Sequence, residues 1–149
     1  MRFRIGYFDE ATVRAAVGGC CHDFALALHR RTGWPVAAVW KDPAGDRFTI
    51  LFEPTAVHVF CVAPGGLAVD AEGARDIADM ARSFCPAHED VARYRSEVHG
   101  DEAAWSEAAS RAAEALMPRE RGIAAAEAVI AASPAFLSLL AELAVAPSP

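Results

Sequence analysis

The sequence predicts an α+β fold, in which one helix packs on a small antiparallel sheet and an α-helical segment follows. Three observations lead to this prediction. A helical pattern covers Cys21–Thr32, short apolar runs separated by proline and glycine fill residues 36–70, and helix formers dominate after Gly73. We therefore expect a core made by residues 1–73 and an acidic, alanine-rich helical segment made by residues 74–149.

Two helices are predicted before the first strand. The residues that precede them alternate apolar and polar side chains, which predicts a short strand or an ordered lead-in. Asp9 is a suitable N-cap for a short helix that runs to Val17. The longer helix, Cys21–Thr32, follows a glycine pair and ends at Gly33, a residue type that favours the conformation of a C-terminal cap.

Four strands are expected between this helix and residue 73. They comprise residues 36–40, 48–52, 56–62 and Leu67–Asp70. A turn at residues 42–46 makes the first two a hairpin, and a Pro-Gly-Gly turn joins the last two. Because side chains alternate along a strand, pairing of the last two strands would place His58 and Asp70 on one face, provided that the register allows it.

Helix formers with few β-branched residues fill the second half of the chain. The predicted helices are residues 74–84, 88–98, 102–117, 119–132 and 134–145. This half carries seven basic and twelve acidic side chains, so it holds −5 of the formal net charge of −6. Its last helix is apolar enough to need a partner surface, either the core of this chain or a second subunit. We expect any protein partner, or a second copy in a homo-oligomer, to contact these helices.

Composition excludes several classes of protein. With 54% hydrophobic and 23% charged residues, most of the chain is not intrinsically disordered. The acidic balance lacks the basic stripe that binds a phosphate backbone, so we expect no nucleic-acid partner. No apolar stretch reaches the length of a signal peptide or membrane span, so we expect a cytoplasmic protein without a membrane partner. The four cysteines, two of them adjacent, do not resemble a disulfide framework and are expected to be reduced.

The most informative stretch is GGCCHDF at residues 18–24. Glycines let the backbone turn tightly into a helix, and a thiol in the first helical turn lies at the positive end of the helix dipole, which favours the thiolate. Further along the chain, His58 and Asp70 supply an imidazole and a carboxylate. A nucleophile, a base and an orienting carboxylate could therefore converge.

The segment GCCHDFA at residues 19–25 resembles the nucleophile motif of papain-like cysteine enzymes, in which glycine, any residue, the catalytic cysteine, two residues, phenylalanine and a small residue follow one another. The order of a helix-borne cysteine, a strand-borne histidine and an orienting residue on a later strand is also similar. This resemblance covers roughly residues 18–73. It identifies Cys21 rather than Cys20 as the nucleophile, His58 as the base and Asp70 as the orienting residue.

The resemblance implies a papain-like core and a cysteine hydrolase or acyltransferase. Such an enzyme would attack an amide, ester or thioester carbonyl through a thioester intermediate. Its substrate would be a peptide, an isopeptide or a small acyl compound, and we expect no cofactor and no metal.

The chain departs from papain itself because it contains no Asn and no Gln. The papain-type Asn partner would have to be replaced by Asp70, and the Gln donor of the oxyanion hole has no counterpart. The N–H of Cys21 would be one oxyanion donor, and the sequence does not identify a second. Asp23 opposes thiolate formation unless its side chain turns toward solvent.

Two interpretations from other classes stay open. A catalytically inactive papain-like module would bind a partner through its acidic helices. A structural zinc site could use His58 and Cys61 together with Cys85 and His88, although residues three apart in a strand point to opposite faces. Cys61, between two apolar residues, is otherwise expected to be a small hydrophobic core residue.

Overall fold

The computed structural model describes residues 6–17, 20–43, 54–111 and 119–145. The strands in these ranges are β1 (Val36–Lys41), β2 (Thr55–Val62), β3 (Leu67–Asp70), β4 (Gly73–Asp76) and β5 (Tyr94–Gly100). The helices are α1 (Glu10–Val17), α2 (Cys21–Thr32), α3 (Ile77–Ser83), α4 (Glu102–Ser110), α5 (Glu120–Ala131) and α6 (Pro134–Ala144), with one 3-10 turn at Val91–Arg93. All strand pairs are antiparallel, in the order β4-β3-β2-β1-β5. The α+β class is therefore confirmed.

The two helices that precede the sheet agree with the sequence prediction. Asp9 accepts a hydrogen bond from the N–H of Thr12 at 2.7 Å and so caps α1. α2 has the predicted bounds, and Gly33 closes it in the left-handed conformation at φ 75°. The N–H of Gly33 donates to the carbonyl of His29 at 2.7 Å, which satisfies one of the free carbonyls at the helix end.

Two of the predicted helices are wrong in whole or in part. Residues 73–76 form β4, so the helix predicted from residue 74 begins only at Ile77. The helix predicted for residues 88–98 is replaced by the 3-10 turn and β5. β5 pairs with β1 from Val36↔Gly100 to Lys41↔Tyr94. Hydrogen bonds to the open edge of β1 outweigh a helix propensity that is worth only tenths of a kcal/mol per residue, about 0–0.7.

The other predicted elements of the second half agree in type. α4 begins at the predicted residue, and α5 and α6 lie within the predicted ranges. Some of the predictions fall at least partly outside the described residues, and they are the start of the chain, the turn at residues 42–46, the strand at residues 48–52 and the end of the helix at residues 102–117.

The sheet separates two clusters of buried side chains. The α2-face cluster contains residues of α1, α2, α4, α5 and α6 together with Val59 and Cys61 of β2. The α3-face cluster contains Ala37, Val39, Phe60, Ala68 and Met80, and Phe84 packs against it. Neighbouring residues of one strand fall in different clusters because their side chains point to opposite faces.

The second half of the chain belongs to the same packed unit as the first. β4 and β5 extend the sheet at its two edges, and α5 packs on α2. Arg30 of α2 binds Glu102 of α4 at 2.9 Å and Glu120 of α5 at 2.7 Å. Phe136 and Leu140 of α6, the predicted apolar last helix, are buried in the α2-face cluster.

Candidate functional site

The structure places His58 of β2 and Asp70 of β3 in direct contact. Nε2 of His58 donates to Oδ2 of Asp70 at 2.8 Å, and both side chains are buried. Asp70 also accepts from the N–H of Glu72 and from Nη2 of Arg75, each at 2.9 Å. Burial alone would raise the pKa of Asp70, but the hydrogen bond from His58 and the charge of Arg75 lower it below its usual value. Asp70 is therefore an ionised carboxylate that fixes the orientation of the imidazole.

The imidazole of His58 lies on the α3 face of the sheet. Its ring stacks on Phe84, which follows α3, with 4.3 Å between the ring centroids and 18° between the planes. Phe60, two residues along β2, lies on the same face. Nδ1 of His58 is buried and has no hydrogen-bond partner within the described ranges. The ring of Phe84 therefore covers one face of this imidazole.

Cys21 begins α2 and belongs to the α2-face cluster, with 4% of its surface exposed. Burial is the largest influence on this thiol and raises its pKa. Hydrogen bonds from main-chain N–H groups lower this pKa, but they do not offset the effect of burial. The groups are those of Val59, His22 and Cys21 itself. At neutral pH the sulfur is therefore a protonated thiol rather than a thiolate.

Cys21 and the imidazole of His58 are associated with different clusters of buried side chains. The sulfur is close to the backbone of Val59, whose side chain faces α2, and the preceding residue, His58, faces α3. A one-residue step along a strand reverses the face, so the side chains of Val59 and His58 point to opposite sides of the sheet. The structure brings His58 and Asp70 into contact, and the Cys21 sulfur lies beside the backbone of the residue that follows His58.

The same alternation opposes the zinc hypothesis. Cys61 faces α2 and its Sγ donates to the carbonyl of Ala25 at 3.2 Å, so it does not share a face with His58. The side chain of His88 is 82% exposed on the surface. In the part of the chain that the structure describes, no group of three or more His, Cys, Asp or Glu side chains is arranged to hold a metal ion. Cys61 is fully buried, as expected for a core residue.

A second polar cluster, which the sequence did not predict, surrounds Asp23 at the junction of α2 and α5. Asp23 is 1% exposed, so its side chain does not turn toward solvent. Its carboxylate accepts from Nη2 of Arg119 at 3.3 Å and from the N–H of Arg119 at 3.4 Å. Nε2 of His22, whose pKa burial lowers, lies 3.3 Å away. The carboxylate therefore takes the place of a capping side chain at the start of α5, where Arg119 supplies none.

The sequence offers little basis for predicting this cluster. Asp23 and Arg119 are 96 residues apart, and no local motif connects them. The one hint is Gly122 in the first turn of α5, because a Cβ added there would lie 2.1 Å from Oδ2 of Asp23. A glycine in an alanine-rich helix indicates that another part of the chain approaches the helix backbone closely.

A cavity of about 410 Å³ opens beside this cluster, between α1, α2 and α5. Apolar side chains of the three helices form most of its wall, including Ala16, Phe24 and Val129. Its polar lining includes Cys20, whose Sγ lies 3.6 Å from Nη2 of Arg119. A mostly apolar cavity of this size with a few convergent polar groups is typical of small-molecule sites.

Comparison with known proteins identifies no relative of this chain. No family model, no curated protein and no solved structure matches it. In the described ranges no single helix is long and apolar enough to cross a membrane, and α5 and α6 meet that criterion only as a pair with a 90° bend between them.

Proposed function

We propose that this chain is a small binding module built on a papain-like arrangement of helix and sheet, and that its ligand occupies the cavity between α1, α2 and α5. The observation that carries this proposal is the cavity itself, about 410 Å³ in volume, with apolar walls and the Asp23–Arg119 pair beside it. The volume and chemistry of the site fit a small molecule.

The position of the predicted catalytic residues supports binding over thiol chemistry. A base must lie within hydrogen-bond reach of the proton that it removes, directly or through one water. Here the Cys21 thiol belongs to the α2-face cluster and the His58 ring to the α3 face. The raised pKa of Cys21 also favours binding over thiol chemistry, because the thiol is a far weaker nucleophile than the thiolate.

The cavity is also a better candidate than the acidic helices. Glu102 and Glu120, at the starts of α4 and α5, both turn to Arg30 of α2. Glu107 pairs with Arg111 within α4. Much of the acidity of these helices is therefore balanced locally, which leaves a weaker field for attracting a basic partner.

A papain-like cysteine hydrolase or acyltransferase is the second candidate. It is favoured by the buried His58–Asp70 pair and by the three N–H groups near the Cys21 sulfur. Catalysis by Cys21, His58 and Asp70 would require the thiol to reach Nδ1 of His58, which is buried without a hydrogen-bond partner among the described residues.

The two candidates differ in the behaviour of Cys21. With p-nitrophenyl acetate as the probe substrate, a binding module predicts equal turnover by the wild type and by Cys21→Ala and His58→Ala, each checked for folding by circular dichroism. Cys20→Ala is the matched control for non-specific thiol acylation. Iodoacetamide should alkylate Cys20, which is half-buried, faster than Cys21. Turnover that is abolished by both Cys21→Ala and His58→Ala but kept by Cys20→Ala would replace the binding module with the cysteine enzyme.

A further inference from the structure

The cavity between α1, α2 and α5 has one wall that is especially suited to an alkyl chain. α5 presents Gly122, Ala125, Ala126 and Val129 to it, all small apolar residues within about two helical turns. Phe24 of α2 and Ala16 of α1 contribute to the other walls. Small side chains leave a smooth surface along which an unbranched apolar group can lie.

The charges of the cavity favour an anion. Among the described residues that line it, Asp23 is the one carboxylate, and that group is already engaged by Arg119 and His22. The Arg119 side chain is 63% exposed, so guanidinium donors not used by Asp23 stay open to the cavity mouth. Arg121 also lines the cavity and has no hydrogen-bond or ion-pair partner among the described residues. Two guanidinium groups against one neutralised carboxylate leave a net positive site.

We propose that this cavity binds an unbranched organic anion, a medium-chain carboxylate, with its alkyl body along α5 and its carboxylate at Arg119 and Arg121. This inference rests on the proposed function and adds the chemical class of the ligand to it. Arg presents planar donors that match a carboxylate, and burial of each CH₂ group of the alkyl chain adds to the affinity. The two arginines would repel a cation of the same shape, and the described lining residues offer it no free carboxylate.

Octanoate is the probe, and octylammonium and 1-octanol have the same alkyl chain with a positive and a neutral head. Isothermal titration with the full chain should show saturable binding of octanoate, at least about fivefold tighter than binding of octanol and of octylammonium. Reversal of one rim charge in Arg121→Glu should weaken octanoate binding by about fivefold or more. The matched control is Arg82→Glu on α3, which makes the same change in net charge on the opposite face of the sheet and should change affinity by less than about twofold.

A second pair of variants tests the location. Ala125→Trp places a large ring in the cavity from an exposed helix position and should abolish binding, whereas Ala124→Trp, one residue away and outside the lining, should leave it intact. If Ala125→Trp abolishes binding but the three probes bind equally, the anion preference is overturned and the binding module stands. If none of the three probes binds, or if Ala125→Trp has no effect, the cavity is not a ligand site and both proposals fail.

Discussion

Gly122→Ala is the substitution whose effect follows most directly from the structure. Gly122 lies in the first turn of α5, where the carboxylate of Asp23 approaches the helix backbone. A Cβ at this position would lie 2.1 Å from Oδ2 and 2.6 Å from Cγ of Asp23. These separations are far below van der Waals contact, so the carboxylate or α5 has to move by about 1 Å or more.

The expected loss combines three contributions. Forcing a methyl group into a packed site costs about 1–3 kcal/mol. Displacing the buried Asp23 carboxylate from Arg119 and His22 leaves polar groups without partners, at about 1–3 kcal/mol for each buried group. Replacing Gly by Ala in a helix returns about 1 kcal/mol. The net expectation is a loss of about 2–4 kcal/mol, or a fall in Tm of about 4–16 °C for a chain of this length.

The assay is urea unfolding followed by circular dichroism, with the m-value used to check that unfolding stays two-state. Ala124→Gly, at an exposed position of α5, is the control for helix propensity and should cost about 1 kcal/mol. The decisive comparison is a double-mutant cycle, in which Gly122→Ala is also made in the Asp23→Ala background. That background lacks the obstructing carboxylate. In that background Gly122→Ala should become neutral or stabilising by up to about 1 kcal/mol.

The reasoning is refuted if the effects of Gly122→Ala and Asp23→Ala on the free energy of unfolding are additive. If Gly122→Ala has the same effect with Asp23 and with Ala at position 23, to within about 0.5 kcal/mol, the carboxylate does not lie against α5. The cavity would then have a different polar lining from the one described here.

Two further predictions concern other ion pairs. Asp70→Asn should lower the free energy of unfolding at pH 7 by about 1–3 kcal/mol, because it weakens the bonds that the carboxylate accepts from His58 and Arg75. Folding lowers the pKa of Asp70, so the wild-type advantage should be full well above the unfolded value near 3.8 and should decline as the pH falls from there through the lower folded value. Denaturant unfolding between pH 7 and pH 3 would show this decline; an advantage that is as large at pH 3 as at pH 7 would contradict the assignment. Arg30→Ala should lower Tm slightly at low ionic strength, because it removes the ion-pair partner of Glu102 and Glu120. The difference in Tm should shrink at about 0.5 M salt. A loss that does not depend on salt would indicate that Arg30 acts through packing instead.

The candidate site was partly predictable from the sequence. Alternation along two strands joined by a short turn indicated that His58 and Asp70 share a face, and they form a hydrogen bond at 2.8 Å. The same alternation says nothing about which face a helix covers. Whether the Cys21 thiol meets the imidazole depends on how α2 packs on the sheet; Cys21 belongs to the α2-face cluster, whereas the His58 ring stacks on Phe84 of the other face.

Local patterns are sufficient for the elements whose ends carry their own signals. The Asp9 cap, the Gly33 cap of α2 and the turn before β3 depend on hydrogen bonds within a few residues, so the sequence around each of them determines it. Alternation likewise distinguishes the two faces of β2 without any knowledge of what covers them.

Tertiary contacts decided the rest. Residues 94–100 became a strand because the edge of β1 offered backbone partners, which outweighed a weak helix propensity. The engagement of Asp23 by Arg119 joins residues 96 positions apart, and its energy comes from burying a carboxylate that only a distant arginine and helix start could satisfy. The cavity beside that pair exists only where α1, α2 and α5 meet, so no single segment of the sequence encodes it.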